Sequence, residues 1–172
     1  VSEKVFIISF SNSLFYAILI YKIKGGEIYL NIYLDNCCYN RPFDDQSQIK
    51  IHLEAQAKLH IQGKIREGIY DLTWSYILDY ENGKNPYEEK RIAIAPWRTI
   101  ASTYISEETE AILTFAESLA LKGIKTYDAL HISCAVAAHC EYYLTTDKKL
   151  LNTPIPEIKI VSPIVFVNEM EE

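Results

Sequence analysis

The chain has 172 residues, 49% of them hydrophobic and 23% charged, with a formal net charge of −6. That length is most simply one domain with room for a substantial core, and the composition is ordinary globular usage. The acidic balance argues against a protein that coats nucleic acid through a broad basic surface.

Residues 1–26 stand apart. Val5 to Tyr21 is mostly apolar but is interrupted by Ser9, Ser11, Asn12 and Ser13, and it falls short of the roughly 20 apolar residues a membrane-spanning helix needs. Its flanks do not suit a secretory signal either, because Lys4 is offset by Glu3 and Lys22 and Lys24 follow the run. We read 1–26 as an N-terminal extension of uncertain status, such as a misplaced translation start would produce, and 27–168 as the working domain. A membrane anchor is the minority reading of this run.

From Ile28 the pattern sharpens. Ile28, Leu30, Ile32 and Leu34 alternate with Tyr29, Asn31 and Tyr33, which predicts a strand. A turn-rich loop is expected over Asn36 to Gln46, then a helix from Gln48 to Gly63 burying Ile51, Ala55 and Leu59. Ile69 to Trp74 reads as a second strand, and a helix from Tyr76 is broken between Gly83 and Pro86. Pro96 should interrupt the helix over Glu88 to Ala101. Tyr104 and Ile105 form a short strand, and Ser106 to Thr109 starts a helix ending near Lys122 and Gly123. A buried helix capped by Thr126 follows, then the strand Tyr142 to Leu144 and a helix start at Asp147. Ile158 to Val161 is a further strand, and Pro163 to Val167 is read as a terminal edge. Strands alternating with helices predict an α/β fold with a mostly parallel sheet covered on both faces.

The four cysteines, Cys37, Cys38, Cys134 and Cys140, include no C-x-x-C pair and no zinc-like spacing with histidine. Cys134, among buried helix residues, acts as a small apolar group, and a reduced, cytoplasmic setting fits the set. His131 reads as a packed histidine with a hydrogen-bond partner, with metal ligation as the alternative.

Four acids draw the argument together. Asp35 closes the first strand, and Glu81 lies in the helix after Trp74-Ser75. Asp128 opens the buried helix, and Asp147 follows the strand Tyr142 to Leu144. Asp128 and Asp147 each have a plain reading as stabilising acids at helix starts. As a set they gather where an α/β sheet binds ligands, beyond the carboxyl ends of its strands. Asp79 competes with Glu81, but helical spacing turns it to another face. Asp44 and Asp45 read as solvated acids.

The ordered phrases IYLDNCCYN, SYILDYEN, KTYDALHISCA and YYLTTDKKLL resemble the PIN-domain nucleases, the family that includes the VapC toxins of toxin–antitoxin pairs. With the segments between them they span roughly Ile28 to Val167. The resemblance implies a three-layer α/β/α sandwich with a central parallel sheet, and a metal-dependent ribonuclease. Asp35, Glu81, Asp128 and Asp147 would be its catalytic, metal-holding acids. Hard cations such as Mg²⁺ or Mn²⁺ take oxygen ligands of this kind. Thr145 matches a family hydroxyl that orients a carboxylate. Many family members carry Thr or Ser directly after the first acid; here Asn36 stands there, still able to bond a carboxylate.

The partners implied are an RNA substrate and a small antitoxin protein, while pairing with a second copy stays open. Lys122, Lys125, Lys148 and Lys149 could lend local positive charge, and they serve equally as solvated helix ends. A housekeeping RNA- or DNA-processing nuclease is the alternative within the same fold. A catalytically inactive interaction module is the alternative from another class, although it would have no need of the acids. A dehalogenase-type phosphotransferase would want D-x-D where this chain has Asp35-Asn36-Cys37.

Overall fold

Alternation along Glu27–Leu34 (β3) builds the centre of the protein. The computed structural model describes residues 4–8, 19–24 and 27–171, with side chains from residue 30 onward. β3 lies in parallel between Tyr70–Ser75 (β4) on one side and Tyr142–Leu144 (β6) on the other. Thr103–Ile105 (β5) extends the sheet beyond β4, and Lys159–Val161 (β7) extends it beyond β6. The parallel order is therefore β5-β4-β3-β6-β7. The chain starts in the middle, moves out one way, returns, and moves out the other. The order reverses between β3 and β6, the kind of point at which α/β sheets bind ligands.

Register assigns the faces. Leu30 pairs with Tyr70 and Ile32 with Leu72 and Tyr142, so these residues share one face. There the rings of Tyr70 and Tyr142 both meet Phe166 edge-on. Phe166 belongs to Pro163–Glu171 (α9), which packs against Ile49–Arg66 (α2). Tyr33 and Ser75 look the other way, onto Thr126–Ala137 (α7). α7 packs on Glu110–Leu121 (α6) and on Tyr76–Lys84 (α3). Helices thus cover both faces, and the fold is the three-layer α/β/α sandwich expected.

Several local expectations need correction. Asn36–Asn40 (α1) and a 3₁₀ turn at Arg41–Phe43 occupy the stretch read as loop. Cys38 and Tyr39 are fully buried there, and Tyr39 packs on Trp74, so tertiary burial overrides weak helix preference. The inner stripe of α2 is Glu54, Ala55, Lys58, Ile61, Gln62 and Ile65, whereas Leu59 is exposed. Buried Glu54 is held by Arg41 at 3.0 Å and Lys50 at 3.3 Å. Thr126 lies inside α7, whose cap position is Lys125 with no side-chain bond. The segment from Pro163 is a helix, not an edge strand: proline suits a first helical turn, and the Ser162 hydroxyl accepts from Val165 N–H at 3.2 Å.

Pro96 separates Glu88–Ile94 (α4) from Trp97–Ile100 (α5), as expected of it. Lys148–Leu151 (α8) is one short turn after β6. α6 ends on Gly123, whose φ of 87° lets Ile124 N–H reach back to the Leu119 carbonyl at 3.2 Å. Within 1–26, Lys4–Ile8 (β1) and Leu19–Lys24 (β2) form an antiparallel pair, and β2 continues antiparallel onto the first residues of β3. No helix among the described residues is long and apolar enough to cross a membrane.

Candidate functional site

Asp35 is the first residue after β3, at the point where the strand order reverses. It is only 6% exposed, and its own N–H donates to the Leu144 carbonyl at the end of β6. One carboxylate oxygen, Oδ2, accepts from the Thr145 hydroxyl at 2.7 Å and from the Cys37 thiol at 3.0 Å. Thr145 Oγ1 in turn accepts Asp147 N–H at 3.1 Å. The buried hydroxyl therefore ties together the two loops that carry Asp35 and Asp147. This is the orienting contact expected of Thr145. Asn36 turns elsewhere: its side-chain oxygen accepts from Asn40 at 3.2 Å, and the donor beside Asp35 is Cys37.

Asp147 caps α8, accepting Lys149 N–H at 2.7 Å through Oδ1. The capping role read from sequence is therefore present, and it occupies one of the two oxygens. Asp128 differs. It stands half-buried in the first turn of α7, and no hydrogen bond to its carboxylate is found among the described residues. Burial first, and then the negative charges of Asp35 and Asp147, push its carboxyl up, against the opposing charge of Lys125. Asp128 thus feels the charges of both Asp35 and Asp147.

Glu81 comes from α3 and is held by a histidine of α7, the helix that carries Asp128, rather than by any of the three aspartates. Its Oε2 is 2.9 Å from Nε2 of His131, which is 1% exposed. His131 Nδ1 meets the Tyr33 hydroxyl at 2.7 Å, and that hydroxyl meets Ser75 Oγ at 2.5 Å. Burial raises the Tyr33 phenol far above its ordinary value, so it stays protonated and can donate. One consistent assignment has Ser75 donating to Tyr33, Tyr33 to Nδ1, and Nε2–H to the Glu81 carboxylate. The packed-histidine reading of His131 holds. Tyr33 and Ser75 escape a reading of sequence because their roles exist only across strands. Register pairs Tyr33 with Thr73, two residues short of Ser75 on the same face, and no pattern in the sequence links Tyr33 to Ser75.

Asp79 is engaged away from the other acids. It accepts from Trp74 Nε1 at 2.9 Å and from the Tyr104 hydroxyl at 2.8 Å, with Arg98 at 3.4 Å. Of the four lysines, Lys149 spends its ammonium on the Gly123 carbonyl at 2.8 Å, and Lys125 acts on Asp128. The cysteines are all free thiols, and burial pushes that of Cys134 up to about 12.

Among the described residues, no three His, Cys, Asp or Glu side chains stand close enough together to form a ready metal cage. The donor chemistry nevertheless suits a hard cation. Asp35 keeps Oδ1 outside its two hydrogen bonds, Asp128 has both oxygens unbonded, and Asp147 has one. A half-buried Asp128 that faces the charges of buried Asp35 and of Asp147 gains by sharing a cation with them. No protein-family model matches the chain, and no curated protein matches it either.

Proposed function

We propose that the chain is a divalent-cation-dependent endoribonuclease of the PIN-like kind, working in the cytoplasm as the toxin of a toxin–antitoxin pair. One observation carries the nuclease reading. Asp128 faces the negative charges of Asp35, at the sheet's reversal point, and of Asp147, and Thr145 ties the loops of those two together. Ligands of α/β sheets bind at such points. The toxin assignment, with its antitoxin partner, rests on the sequence resemblance.

In this reading Asp35, Asp128, Asp147 and Glu81 hold Mg²⁺ or Mn²⁺ through oxygen. The cation supplies activation of water and neutralisation of the charge that develops on the phosphate. The protein's own part is positioning. Thr145 and Cys37 fix Asp35, the α8 backbone fixes Asp147, and the Tyr33–His131 pair fixes Glu81. Hydrolysis adds water across one P–O bond of the chain, with no covalent intermediate on the protein.

The test is incubation with mixed RNA in Mg²⁺, in Mn²⁺ and in EDTA, beside Asp35→Asn and Asp128→Asn. Cleavage that needs the metal and is lost in both variants is expected. Undiminished cleavage in EDTA, or by both variants, would sink the assignment.

A further inference from the structure

Cys38, Cys134 and Cys140 are buried, whereas Cys37 is partly open to solvent. Cys38 spends its thiol on the Leu144 carbonyl at 3.2 Å. The sulfur of Cys37 stands instead among the groups of the acidic site. It lies 3.0 Å from Asp35 Oδ2 and 3.3 Å from Thr145 Oγ1, and it accepts Thr146 N–H at 3.3 Å. A soft ligand is thereby held against the most buried of the hard ones. A second observation comes from β6. Tyr143 is fully buried, its ring stacked on Tyr33 at 5.4 Å, and its hydroxyl has no hydrogen-bond partner among the described residues. Burial first, and then the charges of Asp35, Tyr33, Cys37 and Asp128, hold its phenol far above the ordinary value, so it is a donor without an acceptor facing those groups. Buried hydroxyls rarely lack a partner.

We propose that Cys37 makes the acidic site a zinc site: Zn²⁺ replaces the proton between Cys37 Sγ and Asp35 Oδ2, draws in a free oxygen of Asp128, and so keeps Mg²⁺ and Mn²⁺ out. The proposal rests on the reading of these acids as a cation site and adds an inhibitor to it. Hard cations gain little from a thiolate, whereas Zn²⁺ takes sulfur and carboxylate oxygen together and stands above Mn²⁺ in general affinity. Bonds of about 2.3 Å to sulfur and about 2.1 Å to oxygen at a tetrahedral angle put the two ligand atoms about 3.6 Å apart. The pair therefore opens by about 0.6 Å, a small turn of the Cys37 side chain. Binding releases the thiol proton to solvent. A water carried by the ion then gives the Tyr143 hydroxyl its acceptor.

The full chain is titrated with Co²⁺, whose absorption reports a bound thiolate, and with Zn²⁺ and Mn²⁺ by calorimetry, beside Cys37→Ser. The parent should show the thiolate-to-cobalt band and bind Zn²⁺ about tenfold more tightly than Mn²⁺, or better. Cys37→Ser should lose the band, and its preference for Zn²⁺ over Mn²⁺ should fall about tenfold. In the unaltered chain Zn²⁺, but not Mg²⁺, should protect Cys37 from iodoacetamide, read by peptide mass; this arm needs no variant to fold. No thiolate band in the parent, a band that persists in Cys37→Ser, or equal alkylation with and without Zn²⁺ overturns the proposal. Zn²⁺ bound through Cys37 in a chain that cuts RNA in neither Mg²⁺ nor Mn²⁺ would sink the nuclease reading and leave the zinc site standing. Metal-dependent cleavage that Zn²⁺ leaves untouched, with no thiolate band, would do the reverse.

Discussion

His131 Nε2 lies 2.9 Å from Glu81 Oε2, and its other nitrogen is locked by Tyr33 at 2.7 Å. A fully buried ring bonded at both nitrogens fixes the direction of Glu81. Outer partners of this kind typically change metal affinity by about 10–100-fold. His131→Gln should therefore weaken Mn²⁺ binding by about that factor, and Tyr33→Phe by less, since it removes only the remoter bond. Titration calorimetry on both variants, with melts run alongside, separates this from simple unfolding. Unchanged Mn²⁺ affinity in a folded His131→Gln protein would place Glu81 outside the metal site.

Asp79 and Glu81 stand two residues apart and should behave oppositely. Asp79 is tied to Trp74 and Tyr104, so Asp79→Ala should cost about 1–3 kcal/mol of stability and leave cleavage close to normal. Glu81→Gln should leave stability nearly unchanged and depress cleavage at least tenfold, the lower end of the effect expected for a metal ligand's surroundings. Denaturant melts and a cleavage assay on the pair decide the assignment; the reversed pattern would refute it.

The raised carboxyl of Asp128 makes a pH signature. A carboxyl whose folded-state value lies above its unfolded value holds its proton longer in the folded chain. Its stabilising share is intact below the unfolded value, is lost as pH rises through the window up to the folded value, and stays lost beyond. Without metal, Asp128→Asn should equal or exceed the parent in stability at neutral pH. The gain should be no more than about 1 kcal/mol, because solvent still screens a half-buried group. Melts in EDTA from mildly acidic to neutral pH should show the difference growing, and added Mg²⁺ should stabilise the parent more than the variant. A variant clearly weaker in EDTA would make Asp128 a helix-start residue alone.

Lys58 offers a test of the core. Burial against the Tyr39 ring, 5.6 Å away, brings its ammonium down to about 8 from 10.5, and no carboxylate pairs with it among the described residues. Between those values the unfolded chain keeps a proton that the folded chain has lost, so stability rises with pH there. Lys58→Met should stabilise the protein at neutral pH by about 1–3 kcal/mol, the scale of a pKa shift of this size after relaxation. The advantage should shrink as pH approaches 10.5. Urea midpoints at pH 7 and pH 10 check it.

The sheet was legible because it follows local rules. Two-residue alternation marks β3, Asp35 ends it, and Asp147 shows an ordinary capping pattern. Glu81 was separable from Asp79 by helical spacing alone. What stayed hidden depends on distant partners. α1 forms because Cys38 and Tyr39 are buried against Trp74, which no nearby residue announces. The inner stripe of α2 includes Glu54 and Lys58, charged residues that a hydrophobic pattern assigns to solvent. α9 was open to reading, since Ser162 before Pro163 is a helix-start pair; the apolar run after it suggested a strand instead.

Thr145 reaches Asp35 across 110 positions of chain, and this separation sets a clock on synthesis. At about 5–20 residues per second, β6 leaves the ribosome roughly 6–22 s after β3. Until then Asp35 lacks its hydroxyl partner and Asp147, although Asp128 has already been made, and closing so long a loop is a late, slow event in folding. A nascent or prematurely terminated chain that stops before Thr145 would be unable to assemble the pocket. On the ribonuclease reading proposed above, that delay would keep the growing polypeptide harmless to RNA until Thr145 has emerged.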